Sequence, residues 1–367
     1  MSGRWAVRVR ALAVQARRLL EWAEPWPERS WAVEGAGGLG HLPDWQLVAA
    51  GERVLDVRPK LAARVRLLAD EAVNKNDPND ARAIAVTALR SRTVREVAAD
   101  DHCAVLKMWS RRQHDLGRNR TRAACRLHAA LCELVPGGLG KEITIAHAAR
   151  VLAQAAPSGA VQAARAELAA DLLEDLRRAD GQLRGTKKKL AAAVRATGTS
   201  LTEIFGVGPV IAATVIGEAG DVSRFASRDA FAACNGTAPI EISSGRRKVF
   251  RLSRRGNRRI NHAAHMTAVT QIRYPHSEGR AYFDRKIAEG ETAKEALRAL
   301  KRQVSDAFYK HLKADAARAA SSSKSPGGHA GNDSVASAAG SHPETPALRP
   351  GHSRADTHPT TAATPVE

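Results

Sequence analysis

Aromatic residues are scarce in this chain, and long apolar runs are absent. Phe, Trp and Tyr make up 4% of the 367 residues, so stacking on aromatic rings is not expected to supply most of any nucleic-acid binding energy. No run of about 18 apolar residues occurs, so no membrane span is predicted. The basic N-terminus lacks both a continuous apolar core and a small-residue cleavage site, so a signal peptide is not expected.

Cysteine is also rare, and its spacing argues against two kinds of site. The four cysteines form no CxxC pair and show no histidine spacing typical of zinc sites. Such usage fits a reducing cytoplasm. We therefore predict that they are small core residues, at Cys103, Cys125, Cys132 and Cys234.

Acidic residues are outnumbered by basic ones. The chain has 57 Lys and Arg against 38 Asp and Glu, a formal net charge of +19. Such an excess favours a polyanionic partner, and nucleic acid is the usual one. With few aromatic rings available, phosphate contacts are the expected source of affinity. We expect a cytoplasmic, nucleoid-associated protein.

The first 97 residues alternate between helix and strand patterns. Helices are predicted at 16–24, 44–51, 60–72 and from Pro78 onward, and strands at 31–33 and 53–59. This rhythm is typical of a three-layer α/β unit with parallel strands. The fold class is therefore α/β plus α, because the remainder of the ordered chain is mainly helical.

Residues 98–200 predict long amphipathic helices, interrupted by "PGGLGKE" at 136–142. We interpret them as a helical hairpin or coiled-coil connector whose charges form a solvated face. A second compact unit is predicted at 201–315. Residues 316–367 are rich in Ala, Ser, Pro, Gly and Thr, and they hold too little apolar surface to offset the entropy of ordering. We predict a disordered tail there.

The stretch "NDPND" is by itself a strong helix start. Asp77 is predicted as the N-cap, Pro78 as the first helical residue, and Asp80 as the acid that reaches back in a capping box. Two carboxylates three residues apart also share one face of a helix. The same residues therefore suit a metal site, and residue chemistry alone does not choose between the two.

Two features of the second unit are typical of phosphate binding. Gly206-Val207-Gly208 lies between helical patterns, like the turn of a helix-hairpin-helix motif, although an ordinary corner between helices has the same pattern. Eight basic residues and no acid follow between Arg246 and Arg259. We predict contacts to nucleic acid by Gly206, Gly208, Arg246, Arg247, Lys248, Arg251, Arg254, Arg255, Arg258 and Arg259.

Ser243 and Ser244 precede this basic strip. Read alone, Ser-Ser-Gly is the sequence of a turn. A hydroxyl among arginines also suits attack on a phosphodiester, because guanidinium groups stabilise charge on the transferring phosphoryl group.

Two blocks of the sequence resemble a known family. They are "WAVEGAGGLG…RVLDVRPKLAARVRLL…NKNDPNDARAIA" and "IFGVGPVIAATVI…RFASRDAFAACNGTAPIEISSGRRKVFRLSRRGNRRINHAAHMTAVTQIR". In this order and spacing they resemble the DEDD-type insertion-sequence transposases, relatives of the Piv and MooV DNA invertases. The resemblance covers most of residues 30–315. It implies a RuvC-like, RNase H-type N-terminal domain, a coiled-coil connector and a C-terminal transposase domain.

The resemblance also implies functional residues and partners. Glu34, Asp77 and Asp80 match carboxylates of the family's metal cluster, for which Mg²⁺ is the expected ion. Ser244 matches the nucleophile, with Ser243 as the alternative because the serine is doubled. The family further implies DNA as substrate, a structured guide RNA, and a homo-oligomer in which sites are built from two protomers.

One expected carboxylate is missing. The family's first aspartate lies on a strand upstream of Glu34, and no aspartate precedes Asp44 in this chain. We therefore expect an N-terminal domain that lacks its first strand, with a weakened metal site. Three hypotheses follow: an active recombinase, a truncated remnant that only binds nucleic acid, and a RuvC-like junction nuclease.

Overall fold

The structure is a computed structural model of the chain. It places Met1–Ser323 in one compact unit. The residues it describes are 7, 9–10, 12–36, 38, 40–68, 76–91, 94–136, 139–140, 143–242, 250–253 and 256–322. Among them, no helix is both long and apolar enough to cross a membrane.

A small mixed sheet organises the N-terminal part. Helix α1 (Gln15–Ala23) precedes strand β1 (Trp31–Glu34), and helix α2 (His41–Ala49) leads to strand β2 (Val54–Val57). The two strands are parallel, with Trp31 opposite Val54 and Glu34 opposite Val57. Helix α2 begins three residues before the predicted start, and Gly51 follows its end with φ +84°, a conformation that glycine adopts at little cost.

Two helices and a third strand complete this part, and they correct two predictions. Helix α3 (Pro59–Leu68) packs against α4 (Asp77–Arg90), and the short strand β3 (Arg95–Glu96) pairs antiparallel with β2. The prediction of purely parallel strands is therefore wrong. The N-cap of α4 is Asn76, whose side chain accepts from the Asn79 N–H at 2.9 Å, so Asp77 is the first helical residue and not the cap.

A long antiparallel helical hairpin occupies the middle of the chain. Helix α5 (His102–Cys132) and helix α7 (Gly159–Ala196) lie side by side, and the short helix α6 (Ile145–Gln154), which was not predicted, packs on both. Arg120 of α5 bonds Asp180 of α7 at 2.5 Å. Near the loop end, Leu127 and Leu131 of α5 share an apolar cluster with Leu172, Leu173 and Leu176 of α7.

The C-terminal part is helical and packs on the open end of the hairpin. A 3₁₀ turn (Ser200–Glu203) leads to α8 (Pro209–Ala219), and a second 3₁₀ turn (Val222–Arg224) leads to α9 (Arg228–Asn235). Strands β4 (Pro239–Glu241) and β5 (Phe250–Leu252) pair antiparallel. Helices α10 (Arg258–Arg273), α11 (Glu278–Ala288) and α12 (Ala293–Ser322) follow.

One apolar core unites the hairpin with this C-terminal part. Leu106 of α5 and Leu190 and Val194 of α7 lie in the same buried cluster as Phe231 and Phe308. The open end of the connector is therefore part of the C-terminal core, and the predicted domain boundaries at 97, 200 and 315 stay predictions.

Two further predictions need correction. Helix α12 continues past residue 315 to Ser322, into the segment predicted as a disordered tail; residues 323–367 lie outside the described residues. Cys125 is exposed, and Cys103, Cys132 and Cys234 are only half-buried, so the cysteines are not fully buried core residues. Burial raises the pKa of the Cys103 thiol to about 12, with further contributions from Asp101 and Asp221.

Candidate active site and nucleic-acid interface

The elements that carry the predicted metal ligands are in contact. Glu34 is the last residue of β1 and is exposed, while Asp77 and Asp80 lie in the first turn of α4. Helix α4 packs against both β1 and β2. The tertiary structure thus brings the acidic end of α4 onto the sheet that carries Glu34.

The three carboxylates do not converge as a ligand set in this structure. Among the described residues, only one group of three or more potential metal ligands has its ligand atoms within 4.8 Å of one another. That group is Asp101, His102 and Cys103, and it contains none of the three predicted ligands. That group follows from helix capping, because Asp101 accepts from the N–H groups of Cys103 and Ala104.

A cation from the neighbouring helix already engages one of the predicted ligands. Arg66 of α3 forms a hydrogen-bonded ion pair with Asp80, and both side chains are about three-quarters buried. The α4 N-terminus adds a favourable partial positive charge for both Asp77 and Asp80. Arg66 therefore already neutralises the charge of one of the three predicted ligands.

Asp44 and Asp56 form a carboxylate pair that the sequence analysis did not single out. Asp44 of α2 is 1% exposed, and its Oδ2 has no hydrogen-bond partner among the described residues. Burial, followed by the charge of Asp56, raises the pKa of Asp44 to about 6, and His41 opposes this shift. The sequence contained one sign of an unusual aspartate: the alternating pattern of "VLDV" places Asp56 within a strand.

Asp56 does not supply the missing carboxylate beside Glu34. In the parallel pair, Asp56 is opposite Val33. Neighbouring residues of a strand point to opposite faces of the sheet, so Asp56 shares a face with Val33 while Glu34 lies on the other. The Asp56 carboxylate instead accepts from the Ala36 N–H at 3.3 Å, in the turn that follows β1.

Most of the predicted serine and arginine strip lies outside the described residues. These residues are Ser243, Ser244, Arg246, Arg247, Lys248, Arg254 and Arg255. In the sequence, the two serines fall between β4 and β5. Arg251 lies on β5 and is exposed, and Arg258 and Arg259 open α10.

The C-terminal end of the strip is anchored to the hairpin through Glu218. Its side chain is 6% exposed and bonds Arg111 of α5 at 2.9 Å and Asn257 at 2.9 Å, with Arg259 at 3.6 Å. Asn257 also caps α10 by accepting from the N–H groups of Arg259 and Ile260. Although burial alone would raise the pKa of Glu218, the bonds from Arg111 and Asn257 lower it below its usual value.

The two glycines of the predicted hairpin turn have different roles. Gly206 has φ +86°, and a Cβ there would lie 3.2 Å from Cβ of Thr270 and 3.3 Å from the Thr267 carbonyl oxygen on α10. Gly208 is exposed at the start of α8, and a Cβ there would meet nothing within 4 Å. Gly206 is thus required by packing, while Gly208 leaves the α8 N-terminus accessible.

Comparison with known proteins identifies the class to which this arrangement belongs. Residues 6–136 match the family model of the DEDD transposase of IS110 elements, and residues 198–284 match that of the transposase IS116/IS110/IS902 family. Both matched models describe insertion-sequence transposases, so the chain is similar to that class over two separate segments. The chain carries the DEDD domain and the C-terminal domain of the IS116/IS110/IS902 family, in that order.

Two relatives are similar along most of their length. The insertion element IS900 uncharacterized 42 kDa protein of Mycobacterium paratuberculosis is 26% identical over 333 residues, covering 78% of this chain and 83% of the relative. The insertion element IS116 uncharacterized 44.8 kDa protein of Streptomyces clavuligerus is 25% identical over 348 residues, covering 82% and 86%. At these coverages, the similarity also includes residues 137–197, which lie between the two matched segments.

Proposed function

We propose that this transposase cleaves and exchanges DNA strands through a serine nucleophile assisted by carboxylates of the N-terminal domain. The observation that carries the proposal is the presence of a DEDD domain and a C-terminal transposase domain in one chain. The first supplies acidic residues on β1 and α4, and the second supplies serines beside a basic strip.

Ser244 is the proposed nucleophile, with Ser243 as the alternative. Attack by its Oγ on a DNA phosphodiester forms a new O–P bond and breaks the bond to one sugar oxygen, which leaves with a proton. The phosphoserine link conserves the energy of the broken bond, so a second strand hydroxyl is able to reverse the step without an external energy source. Arg246, Arg247 and Lys248 are proposed to stabilise the phosphoryl charge.

Glu34, Asp77 and Asp80 are proposed as the Mg²⁺ ligands, because carboxylate oxygens are the donors that this ion prefers. In the arrangement described, Arg66 engages Asp80 and the three carboxylates do not converge. The residues do not form a Mg²⁺ site as they stand. Binding requires the Arg66–Asp80 pair to open.

The partners follow from the same proposal. DNA is the substrate, and the net charge of +19 suits a protein that also binds a structured guide RNA. A homo-oligomer is proposed as the working form, with the acidic domain of one protomer facing the serine domain of another. Such an arrangement allows carboxylates and serine from different copies to build one site.

Two alternatives each have one supporting observation. The DEDD domain match favours a metal-dependent junction nuclease, in which the C-terminal part acts as a clamp and Ser244 is not required. The unconverged carboxylates favour a protein that binds nucleic acid without cleaving it, referred to below as the remnant.

The experiment is a strand-transfer assay with the full chain, a DNA substrate carrying the element's ends, its guide RNA and Mg²⁺. Transfer is expected in the native chain, with a covalent protein–DNA adduct after denaturation. It is expected to be lost with Ser244→Ala combined with Ser243→Ala, and on removal of Mg²⁺ by EDTA.

The outcomes separate the three functions. Unchanged transfer by the double alanine variant contradicts the serine mechanism. Cleavage that survives serine replacement but requires Mg²⁺ indicates the nuclease. DNA binding without adduct or cleavage indicates the remnant. Ser253→Ala, in the same chain segment, serves as the matched serine control.

A further inference from the structure

The hairpin, α8 and α10 enclose a groove of about 1040 Å³ that the proposed active site does not include. Its cationic side chains come from α5 and α10, and the lining that the structure describes contains no acid. These cations are Arg118, Arg122, Arg258 and Arg259, with the histidines His114 and His262 beside them.

Two of these arginines have nothing to neutralise them. Arg118 and Arg122 lie one turn apart on α5, are exposed, and form no hydrogen bond or ion pair with any residue described. Two of the other four arginines of the same helix are paired: Arg111 with Glu218, and Arg120 with Asp180. Like charges four residues apart destabilise a helix, so an unpaired couple facing a groove indicates an external anion.

The floor of the groove is apolar. It is formed by one residue of α7 and by residues from the first turns of α8 and the middle of α10, namely Leu183, Val210, Ile211, Ala263 and Met266. None of the described lining side chains is Phe, Tyr or Trp, and the imidazoles of His114 and His262 are its only aromatic rings, so a stacking platform for successive bases is small. This composition favours a duplex backbone over a single strand.

The groove is continuous with the predicted nucleic-acid contacts. Arg258 and Arg259 form the C-terminal end of the basic strip. On the other side, Met266 lies one turn before Thr270, on which Gly206 packs. Two lining residues therefore belong to the strip, and Met266 lies one helical turn from the residue on which Gly206 packs.

We infer that this groove binds the phosphodiester backbone of duplex DNA, and that α5 is a DNA-binding element of the transposase. The inference rests on DNA being the substrate, and it replaces the interpretation of the α5 charges as a solvated face. The guanidinium groups contact phosphates without reading sequence. The apolar residues of the lining accept the sugar carbons between the phosphates.

The test measures binding of the full chain to a labelled, non-specific DNA duplex by fluorescence anisotropy across a salt series. The variant Arg118→Gln combined with Arg122→Gln is compared with Arg112→Gln combined with Lys188→Gln. The control pair removes the same charge from α5 and α7, at exposed positions outside the groove lining. Glutamine keeps a helix propensity close to those of arginine and lysine.

The groove variant is expected to bind about tenfold to 100-fold more weakly at ~50 mM salt. The slope of log K against the logarithm of the salt concentration is expected to be less negative by about 1.8, the value for two lost phosphate contacts. The control is expected to retain most of the affinity and slope, because its two charges lie outside the groove lining. Equal losses in the two variants overturn the inference.

Other occupants give distinct results. The assignment to DNA is overturned by any of three results. In the first two, the groove variant loses affinity only for duplex RNA of the same sequence, or changes only its oligomeric state. In the third, polyglutamate displaces the labelled duplex from the native chain as efficiently as unlabelled DNA does. The Ser244→Ala chain is expected to show the same groove effect. If strand transfer fails in the native chain while the groove effect remains, the proposed function fails and this inference stands.

Discussion

Gly217 allows α8 to cross α5 at backbone contact, and replacing it tests whether the C-terminal core is built on the hairpin. A Cβ at this position would lie 2.5 Å from the Lys107 backbone nitrogen and 2.6 Å from its Cα. Normal contacts begin near 3.4 Å, so the helices must separate by about 1 Å. A gap of that size forfeits roughly a quarter to a half of the dispersion attraction across it.

Gly217→Ala is therefore expected to destabilise the protein by about 1–3 kcal/mol, the usual cost of overpacking. The measurement is thermal unfolding followed by circular dichroism, where each kcal/mol lowers Tm by about 2–4 °C in a unit of this size. Gly217→Val is expected to cost more, since its larger side chain requires a wider separation.

Gly185→Ala provides the matched control. Gly185 lies within α7, and a Cβ there meets nothing within 4 Å. This substitution is expected to stabilise the helix by about 0.5–1 kcal/mol. If Gly217→Ala raises Tm as Gly185→Ala does, the close packing of α8 on α5 is refuted.

Two further predictions concern the N-terminal part. The pKa of Asp44 is raised from 3.8 to about 6, so its charged form is less favourable in the folded protein than in the unfolded chain. The protein is therefore expected to lose stability as pH rises from about 4 to about 6. Asp44→Asn should remove this pH dependence and stabilise the protein at pH 7 by about 2–3 kcal/mol. Thermal unfolding between pH 4.5 and 7.5 measures this, and an unchanged pH profile in the variant contradicts it. Asn76→Ala should lower the free energy of unfolding by about 1 kcal/mol, because it removes the side-chain cap of α4. Asn76→Asp keeps the hydrogen-bond acceptor and should retain the native Tm. Equal Tm values for the two variants would count against this cap.

The local sequence was sufficient to locate most helices and both parallel strands. Apolar residues at three- and four-residue intervals located α1, α5 and α7, because a helix that packs on one side has apolar residues at this spacing along its buried face. Strands β3, β4 and β5, helix α6 and helices α9 to α12 were not individually predicted. Two residues such as Arg95 and Glu96 carry no periodicity, and β3 exists because its backbone pairs with β2.

In the candidate site, too, the sequence identified individual residues but not the contacts between them. The family resemblance selected Glu34, Asp77 and Asp80, and the sequence alone showed a basic strip ending at Arg259. It gave no sign that Arg66 would engage Asp80, because that pair joins two helices whose packing is a tertiary property. The cap of α4 was misplaced by one residue, since Asn76 and Asp77 are both good capping residues.

The sequence by itself determined the basic character and much of the order of the elements, and it carried the family resemblance, because these depend on residue identity and on periodicity along the chain. Only the tertiary structure decided which charges are neutralised. Arg111 and Arg118 lie on the same helix, yet Arg111 meets the buried Glu218 whereas Arg118 faces a groove without acids. Their difference arises from the antiparallel packing of α5 and the crossing of α8 at Gly217, which no local pattern specifies.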